Sequence, residues 1–510
     1  MEQEICKDGD VTEGAMRAFE AGGKTLLVAR SGGVCHAVGA TCPHAGAPLA
    51  EGVLHDGMII CPWHKAAFRL ATGTCTEPPA VDDLPHYPVR VANDRVLVNT
   101  QVAPRRPARS GAVDLRSIVI VGAGAAGASA AQTLREAGFA GRVVMVSRED
   151  RLPYDRTVLS KYALSGKQGG EKTPLQDAAF YNGQRIERMT GEVTAIDPAS
   201  RTIGFADGKE LRYDAALVAT GGMPRPLQVP GHALPGNFLL RGPDDADAIV
   251  RAARGARRAV VVGAGFIGLE AAAALRERGL DVAVVAPQRT PLEDKLGPEV
   301  GSAFRHVHEQ QGVVFHLGEE VAAVEGDGRV EQVRLKGGAV LEADLVVAGL
   351  GIAPAAGVVR GVPLRPDGGL DVNAELRVTG SLYAAGDIAA FPLYGGGVRV
   401  RVEHWRVAEQ HGRVAALNML GHGVPYQAVP YFWTISYLKR LDYVGHAEDW
   451  DGVVVDGDLV KPEFTAFYVR DGMVQAVAGW SRDQAMATAI PLMTERHDWT
   501  VAELRQALAD

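Results

Sequence analysis

No cysteine follows Cys75: the five in this chain of 510 residues, at positions 6, 35, 42, 61 and 75, all lie at its N-terminal end. A disulfide framework spread through the fold is thereby excluded, and thiol crowding in one corner points to a metal site. Basic excess is also lacking. The formal net charge is −8, so the electrostatic footprint of a nucleic-acid binder is missing. Long apolar runs are absent too. The longest, "RAVVVGAGFIGLEAAAAL", is interrupted by glycines and Glu270, and the opening "MEQEICKDGD" has no apolar segment. Neither a signal peptide nor a membrane span is expected, and a cytoplasmic location follows as the expectation. What is abundant is glycine, 61 residues, much of it in clusters such as "VGAGAAG" and "VGAGFIG". The length exceeds what one core can organise, so three or four domains are expected.

The thiols that carry chemistry stand in "CPHAGAPL" (42–49) and "CPWHKAAF" (61–68). Each stretch sets one Cys and one His a residue or two apart: Cys42-x-His44, sixteen intervening residues, then Cys61-x-x-His64. Short β-like runs ("KTLLVAR", "GVCHAVGA", "GMIICP", "RVLVN") separated by turn signals surround them. A small all-β domain presenting two metal-binding loops is expected. Four such ligands could hold one zinc, but zinc fingers usually pair Cys with Cys and His with His along the chain. One Cys and one His per loop suits a [2Fe–2S] cluster, with Cys42 and Cys61 on one iron and His44 and His64 on the other. Pro43 and Pro62 stiffen the loops, and Gly46 permits a close turn. His36, His55 and His86 match no ligand spacing, and Cys6, Cys35 and Cys75 have no assigned role.

This pattern, C-x-H…C-x-x-H, resembles the Rieske motif over roughly residues 1–100. The respiratory branch of that family has two further Cys forming a disulfide, where Ala47 and Trp63 stand here. It also has Ser and Tyr hydroxyls bonding the cluster, where Ala66 and Phe68 stand. Fewer donors disfavour the reduced cluster, so the resemblance implies a potential near the low end of the Rieske range, on the order of −150 mV. It points to the Rieske-type ferredoxins that feed oxygenases. Lys65 stands where those often have Gly, which implies a local effect on potential or docking.

After "NTQVAPRRPARSGAVDLRS" (99–117), which reads as a solvated tether, comes a β-branched strand running into Gly122-x-Gly124-x-x-Gly127. An Ala-rich helix follows, then a strand ending near Glu149. This is the βαβ dinucleotide fingerprint in context: glycines let the backbone approach a pyrophosphate at a helix N-terminus, and the acid takes a ribose hydroxyl. The pattern recurs at Gly263, Gly265 and Gly268, with a strand over 281–285. Two fingerprints predict one resident flavin dinucleotide and one exchanging nicotinamide dinucleotide.

Four further stretches, "LPYDRTVLSKYAL" (152–164), "LVATGGMPRPL" (217–227), "LYAAGDIAAFP" (382–392) and "VEHWRVAEQHG" (402–412), strongly resemble the pyridine-nucleotide–disulfide oxidoreductase superfamily. Within it they look most like oxygenase-coupled ferredoxin reductases and apoptosis-inducing factor. The order, Rieske domain then reductase, is similar to the Rieske-containing apoptosis-inducing-factor-like proteins. The resemblance implies a multidomain fold: a small all-β Rieske domain (1–100), a linker (101–115), a FAD domain (116–241 and 357–428), an inserted NAD(P)H domain (242–356) and a C-terminal α+β domain (429–510). Since no Cys follows Cys75, electrons must leave the flavin directly.

Site residues follow from the same resemblance. Lys161 and Glu270 fall where ferredoxin reductases place a lysine near the flavin N5 and its carboxylate partner, and Trp405 where they place an aromatic beside the isoalloxazine. These three are the expected catalytic residues. FAD is expected to meet Gly122, Gly124, Ala126, Gly127, Glu149, Arg156, Ala219, Thr220, Gly221, Arg225, Asp387, Glu403 and His404. NADH, with NADPH as the alternative, is expected at Gly263, Gly265, Phe266, Ile267, Gly268, Gln288 and Gly351. Gln288 stands opposite Glu149 when the two units are aligned. With Arg289 beside it, it matches neither the NADH nor the NADPH rule. Trp433 matches an aromatic of the C-terminal domain, but Ile435 and Ser436 replace the Asp and Gln found there in ferredoxin reductases, which suggests a face adapted to the tethered domain.

The expected function is NAD(P)H-dependent transfer of electrons through FAD to the fused cluster and on to an acceptor, a terminal oxygenase or a small redox protein. The alternatives are a self-contained NADH oxidase or quinone reductase, and a redox-sensing interaction protein like apoptosis-inducing factor. No nucleic-acid or membrane partner is expected, and the chain is read as a monomer or homodimer.

Overall fold

The computed structural model describes residues 2–102, 114–167 and 174–509; most of the expected linker, 101–115, lies outside the described residues. The N-terminal unit is all-β, in three small antiparallel sheets of three, four and four strands. Its strand Lys24–Ser31 shows how two thin cores are made from one sequence. Side chains alternate across a strand. Leu26 and Val28 face a core with Cys6, Cys35, Val96 and Val98. Leu27 and Ala29 face the opposite core, which holds Cys42, Cys61, Phe68 and Cys75.

Two open α/β sheets follow. In the first, Ile186–Thr190, Arg142–Ser147, Ser117–Val121, Ala215–Val218 and Leu382–Ala384 lie side by side in parallel, with Arg377–Thr379 antiparallel at the edge. In the second, Asn237–Phe238, Leu345–Ala348, Arg258–Val262, Asp281–Ala286 and Val314–Leu317 repeat the parallel order. These strands are near-continuous apolar runs because helices cover both faces of such sheets. The first sheet draws strands from both sides of the second in sequence, so the second unit interrupts the first. The glycine turns open at the C-terminal ends of Ser117–Val121 and Arg258–Val262, the edge at which open α/β sheets take ligands.

The C-terminal unit is a five-stranded antiparallel sheet, Tyr431–Ser436, Lys439–Gly445, Met473–Trp480, Glu463–Arg470 and Gly452–Asp458, with helices Asp483–Glu495 and Val501–Ala509. One face (Val444, Phe467, Val477) packs on Met486, Met493 and Leu504. The other (Leu441, Tyr443, Tyr468, Trp480) packs on Leu296, Val300 and Phe304 of the second α/β unit. The all-β unit lodges against this assembly. Ile60 and Ala67 meet Ala487, Gln132 donates to the Val81 carbonyl at 2.7 Å, and Gln410 donates to Glu77 at 2.6 Å. Among the described residues no helix is long and apolar enough to cross a membrane.

Candidate functional site

A cavity of about 510 Å³ runs from the first glycine turn to the C-terminal sheet. That volume is within the range of small-molecule and cofactor sites. Its floor is built by glycine geometry. Gly122 adopts φ +115°, and a Cβ on Gly127 would sit 1.9 Å from the Gly122 carbonyl oxygen, so the helix Ala125–Glu136 can start this close to the strand only with glycine there. A Cβ on Gly124 would meet no protein atom within 4 Å, although Gly124 lines the cavity. The space beside it is open, as a bound pyrophosphate requires. The second turn repeats the arrangement: a Cβ on Gly268 would lie 2.1 Å from the Gly263 oxygen, while Gly265 is open.

Ala126, Glu149, Arg156, Ala219, Thr220 and Gly221 line the same cavity. Glu149 accepts from Tyr154 Oη at 2.9 Å and pairs with Arg156. Burial opposes its charge, but the Arg156 guanidinium holds the carboxyl below its ordinary value. Arg156 also donates to the Arg241 carbonyl at 2.9 Å. Arg225 stands off this wall, its Nε donating to the Ile352 carbonyl at 3.0 Å. Beside Arg156, the cavity is lined by Arg241, which sequence reasoning missed. It lies 3.8 Å from Asp387, whose carboxyl burial pushes up and Arg241 partly restores.

The far end is closed by an ion pair. Lys161 Nζ, in the turn Leu159–Ala163, lies 3.1 Å from Glu270 Oε1. Glu270 is 3 % exposed and stands in the helix Phe266–Glu277 of the second α/β unit. It also accepts from Ser160 Oγ at 2.5 Å and from Thr434 Oγ1 at 2.7 Å. Three donors from two parts of the chain, the turn Leu159–Ala163 and the strand Tyr431–Ser436, therefore surround one buried carboxylate. Ser160 and Thr434 carry no sequence signature, since their partner is distant in the chain.

Trp405, the first residue of helix Trp405–Met419, lines this end together with Glu403 and His404. Its indole N–H donates to Glu409, a carboxyl that burial pushes well above its ordinary value. His404 lies against Phe432 with ring centroids 4.4 Å apart and planes tilted by 45°, its Nδ1 has no partner, and burial lowers its pKa to about 3. Glu403 accepts from Arg401 at 2.5 Å. Phe266 and Ile267 reach the cavity from the second unit, whereas Gly351 and Gln288 stand away from it. Gln288 donates to Asp294 at 3.0 Å.

The four metal-ligand candidates come together as two pairs. Nδ1 of His44 and Nδ1 of His64 face each other at 3.1 Å. The Cys42 and Cys61 thiols share a hydrogen bond, which pulls Cys61 below its ordinary value and raises Cys42. Backbone N–H groups of His44 and Ala45 point at the Cys42 sulfur, and those of Trp63 and His64 at the Cys61 sulfur. Among the described residues no three His, Cys, Asp or Glu side chains converge on one point, as a single tetrahedral ion demands. A thiol pair beside an imidazole pair is the donor set of a two-iron cluster. Ala66 and Phe68 are fully buried there and offer no donor.

Ligand site and cavity are separated by one ring. Trp433 lines the cavity, and its centroid lies 4.7 Å from that of His64.

Comparison with known proteins agrees with this arrangement. The model of the pyridine nucleotide-disulphide oxidoreductases matches residues 116–412, that of the Rieske [2Fe-2S] domain residues 1–88, and that of the reductase C-terminal domain residues 431–510. The chain is 37 % identical over 501 residues to apoptosis-inducing factor 3 of Homo sapiens, covering 95 % of this chain and 82 % of that protein. It is 37 % identical over 364 residues to the 5,5'-dehydrodivanillate O-demethylase ferredoxin reductase subunit of a Sphingobium species, covering 70 % and 88 %. Among solved structures, the covalent putidaredoxin reductase–putidaredoxin complex superposes with a TM-score of 0.72 at 31 % identity, over 77 % of this chain and 98 % of that one.

Proposed function

The chain belongs to the pyridine nucleotide-disulphide oxidoreductase family, and from that premise we propose that it passes electrons from NAD(P)H through FAD to its own Rieske cluster. It is an FAD-dependent oxidoreductase of the ferredoxin reductase type. When bound, FAD would supply exchange between two-electron and one-electron chemistry, and the cluster would supply one-electron chemistry.

The residues divide this work. Gly122, Gly124 and Gly127 admit the pyrophosphate, Glu149 the adenosine ribose and Asp387 the ribityl chain. Lys161 and Glu270 fix the edge where hydride arrives, and the ammonium favours the negative charge that reduction adds. Ser160 and Thr434 hold Glu270 in place. Trp405 and His404 wall the ring end against water. Cys42 and Cys61 hold one iron, His44 and His64 the other. The second glycine turn and Gln288 hold the nicotinamide dinucleotide. NADH is the preferred donor: the carboxylates of Glu293 and Asp294, in the first turn of the helix Glu293–Gln310, accept from the Arg289 backbone N–H and from Gln288 and disfavour a 2′-phosphate. The electrons leave to a ferredoxin-type protein or a terminal oxygenase.

The observation that carries this reading is the Trp433 ring, which borders the cavity on one side and touches His64 on the other. The test is His64→Ala. Without its cluster, the variant should still have its flavin bleached by NADH at near the wild-type rate, while reduction of cytochrome c collapses. A cluster-free variant that reduces cytochrome c as fast as wild type would overturn the relay and favour a self-contained oxidase or quinone reductase.

A further inference from the structure

The residue after the last cluster ligand is a lysine with no access to solvent. Lys65 is 0 % exposed and adopts φ +59°, a conformation uncommon for a residue with a side chain. Its ammonium leaves its own domain and enters the C-terminal one. Nζ lies 2.9 Å from Asp442 Oδ2, an aspartate 1 % exposed, and 3.3 Å from the Asp483 carbonyl. It also bonds the Pro62 carbonyl and, at 3.4 Å, that of Trp63.

The C-terminal domain answers from the other side. Arg440 donates to the Pro62 carbonyl at 3.1 Å, and Tyr431 Oη to that of Trp63 at 3.3 Å. Tyr431 Oη also donates to Asp442 Oδ1 at 2.7 Å, and Arg440 pairs with both Asp442 and Asp483. The two carbonyls immediately before His64 are thus each held by donors from the other domain. A buried ion pair contributes little net stability, but removing one partner leaves a buried charge uncompensated. These bonds all break if the two domains separate, so together they favour this one docking geometry.

We propose that Lys65 and Asp442 form an interdomain lock, positioning residues that keep the Rieske domain docked with His64 against Trp433. The surface involved is an interface between two domains of this chain, and its occupant is the chain's own cluster loop. The inference rests on the relay reading for its purpose, but the lock itself can be tested separately.

The experiment uses the full-length holoprotein as wild type, Lys65→Met, Asp442→Asn and the double variant. Amide exchange is read on peptides covering 61–67 and 483–487, the two sides of the interface. Internal transfer is read by stopped flow, as cluster reduction following flavin bleaching by NADH. Each single variant should raise exchange across both peptides on the order of 10-fold, the scale of one charge-assisted hydrogen bond lost where Asp442 keeps Arg440 and Tyr431. Cluster reduction should slow while flavin bleaching and the EPR spectrum of the cluster stay as in wild type. The double variant should be no worse than either single, because both remove one interaction. Lys65→Met alone could disturb its own loop, whereas Asp442→Asn changes only the opposite domain. Unchanged exchange in Asp442→Asn would overturn the lock. Raised exchange with wild-type cluster reduction would overturn its positioning role. Failure of NADH to reduce the wild-type cluster would refute the relay and leave the lock to be judged by exchange alone.

Discussion

At the scale of single residues, the site is a set of charges that burial would not tolerate alone. Glu270 is the clearest case, with an ammonium and two hydroxyls around one carboxylate. Replacing it with Gln, or Lys161 with Met, should slow flavin reduction by NADH roughly 100-fold, the scale of losing one preorganised group in a dry site. FAD retention should be little changed, since neither residue belongs to the first glycine turn, Gly122–Gly127, where the pyrophosphate is expected. Stopped-flow bleaching checks this, and unchanged rates in both variants would remove the pair from the site. Thr434→Val should destabilise the chain by about 2 kcal/mol, the cost of one donor lost to a buried charge, as read by denaturant unfolding. The pairing of Lys161 with Glu270 was legible in the sequence because each stands at a fixed offset from a motif. Ser160, Thr434 and Arg241 were not, because nothing local records that a hydroxyl from a third domain meets a helix of the second.

At the scale of elements, the two strand–glycine–helix turns were legible because their requirement is local. A missing Cβ is needed wherever the helix start crosses the strand end. Gly127 and Gly124 separate two reasons for glycine. Gly127→Ala would place a methyl 1.9 Å from a backbone oxygen, so both apo stability and flavin content should fall. Gly124→Ala meets no protein atom, so apo stability should hold while flavin content falls. Thermal unfolding of the apoprotein and flavin absorbance per chain distinguish them. Full flavin occupancy in Gly124→Ala would place the pyrophosphate elsewhere. The Rieske loops were equally legible, for ligand spacing is a local signal. The stretch around Trp433 was legible as a face toward the tethered domain, but its strand alone cannot say that the ring meets His64.

At the scale of the molecule, the cavity that starts at one glycine turn is bordered at its far end by Trp433 of the C-terminal sheet, which lies against His64 of the all-β unit. The order of domains was readable from motifs. Their docking was not, because it depends on which surfaces meet, through contacts such as Lys65–Asp442 that span 377 positions. The donor set predicts about two iron and two acid-labile sulfide per chain after anaerobic purification, with a Rieske-like EPR spectrum when reduced. Metal analysis showing stoichiometric zinc and no iron would contradict the cluster.

The claim on which the rest depends is that the electrons reach the cluster within the same chain. Rapid mixing of anaerobic wild-type protein with NADH, followed by freezing at intervals for EPR and by flavin absorbance in parallel, tests it most directly. The account predicts that the flavin bleaches first, that the cluster signal then rises, and that the rate of this second step is independent of protein concentration. A cluster that stays oxidised beside bleached flavin, or a second step whose rate climbs in proportion to protein concentration, would contradict it.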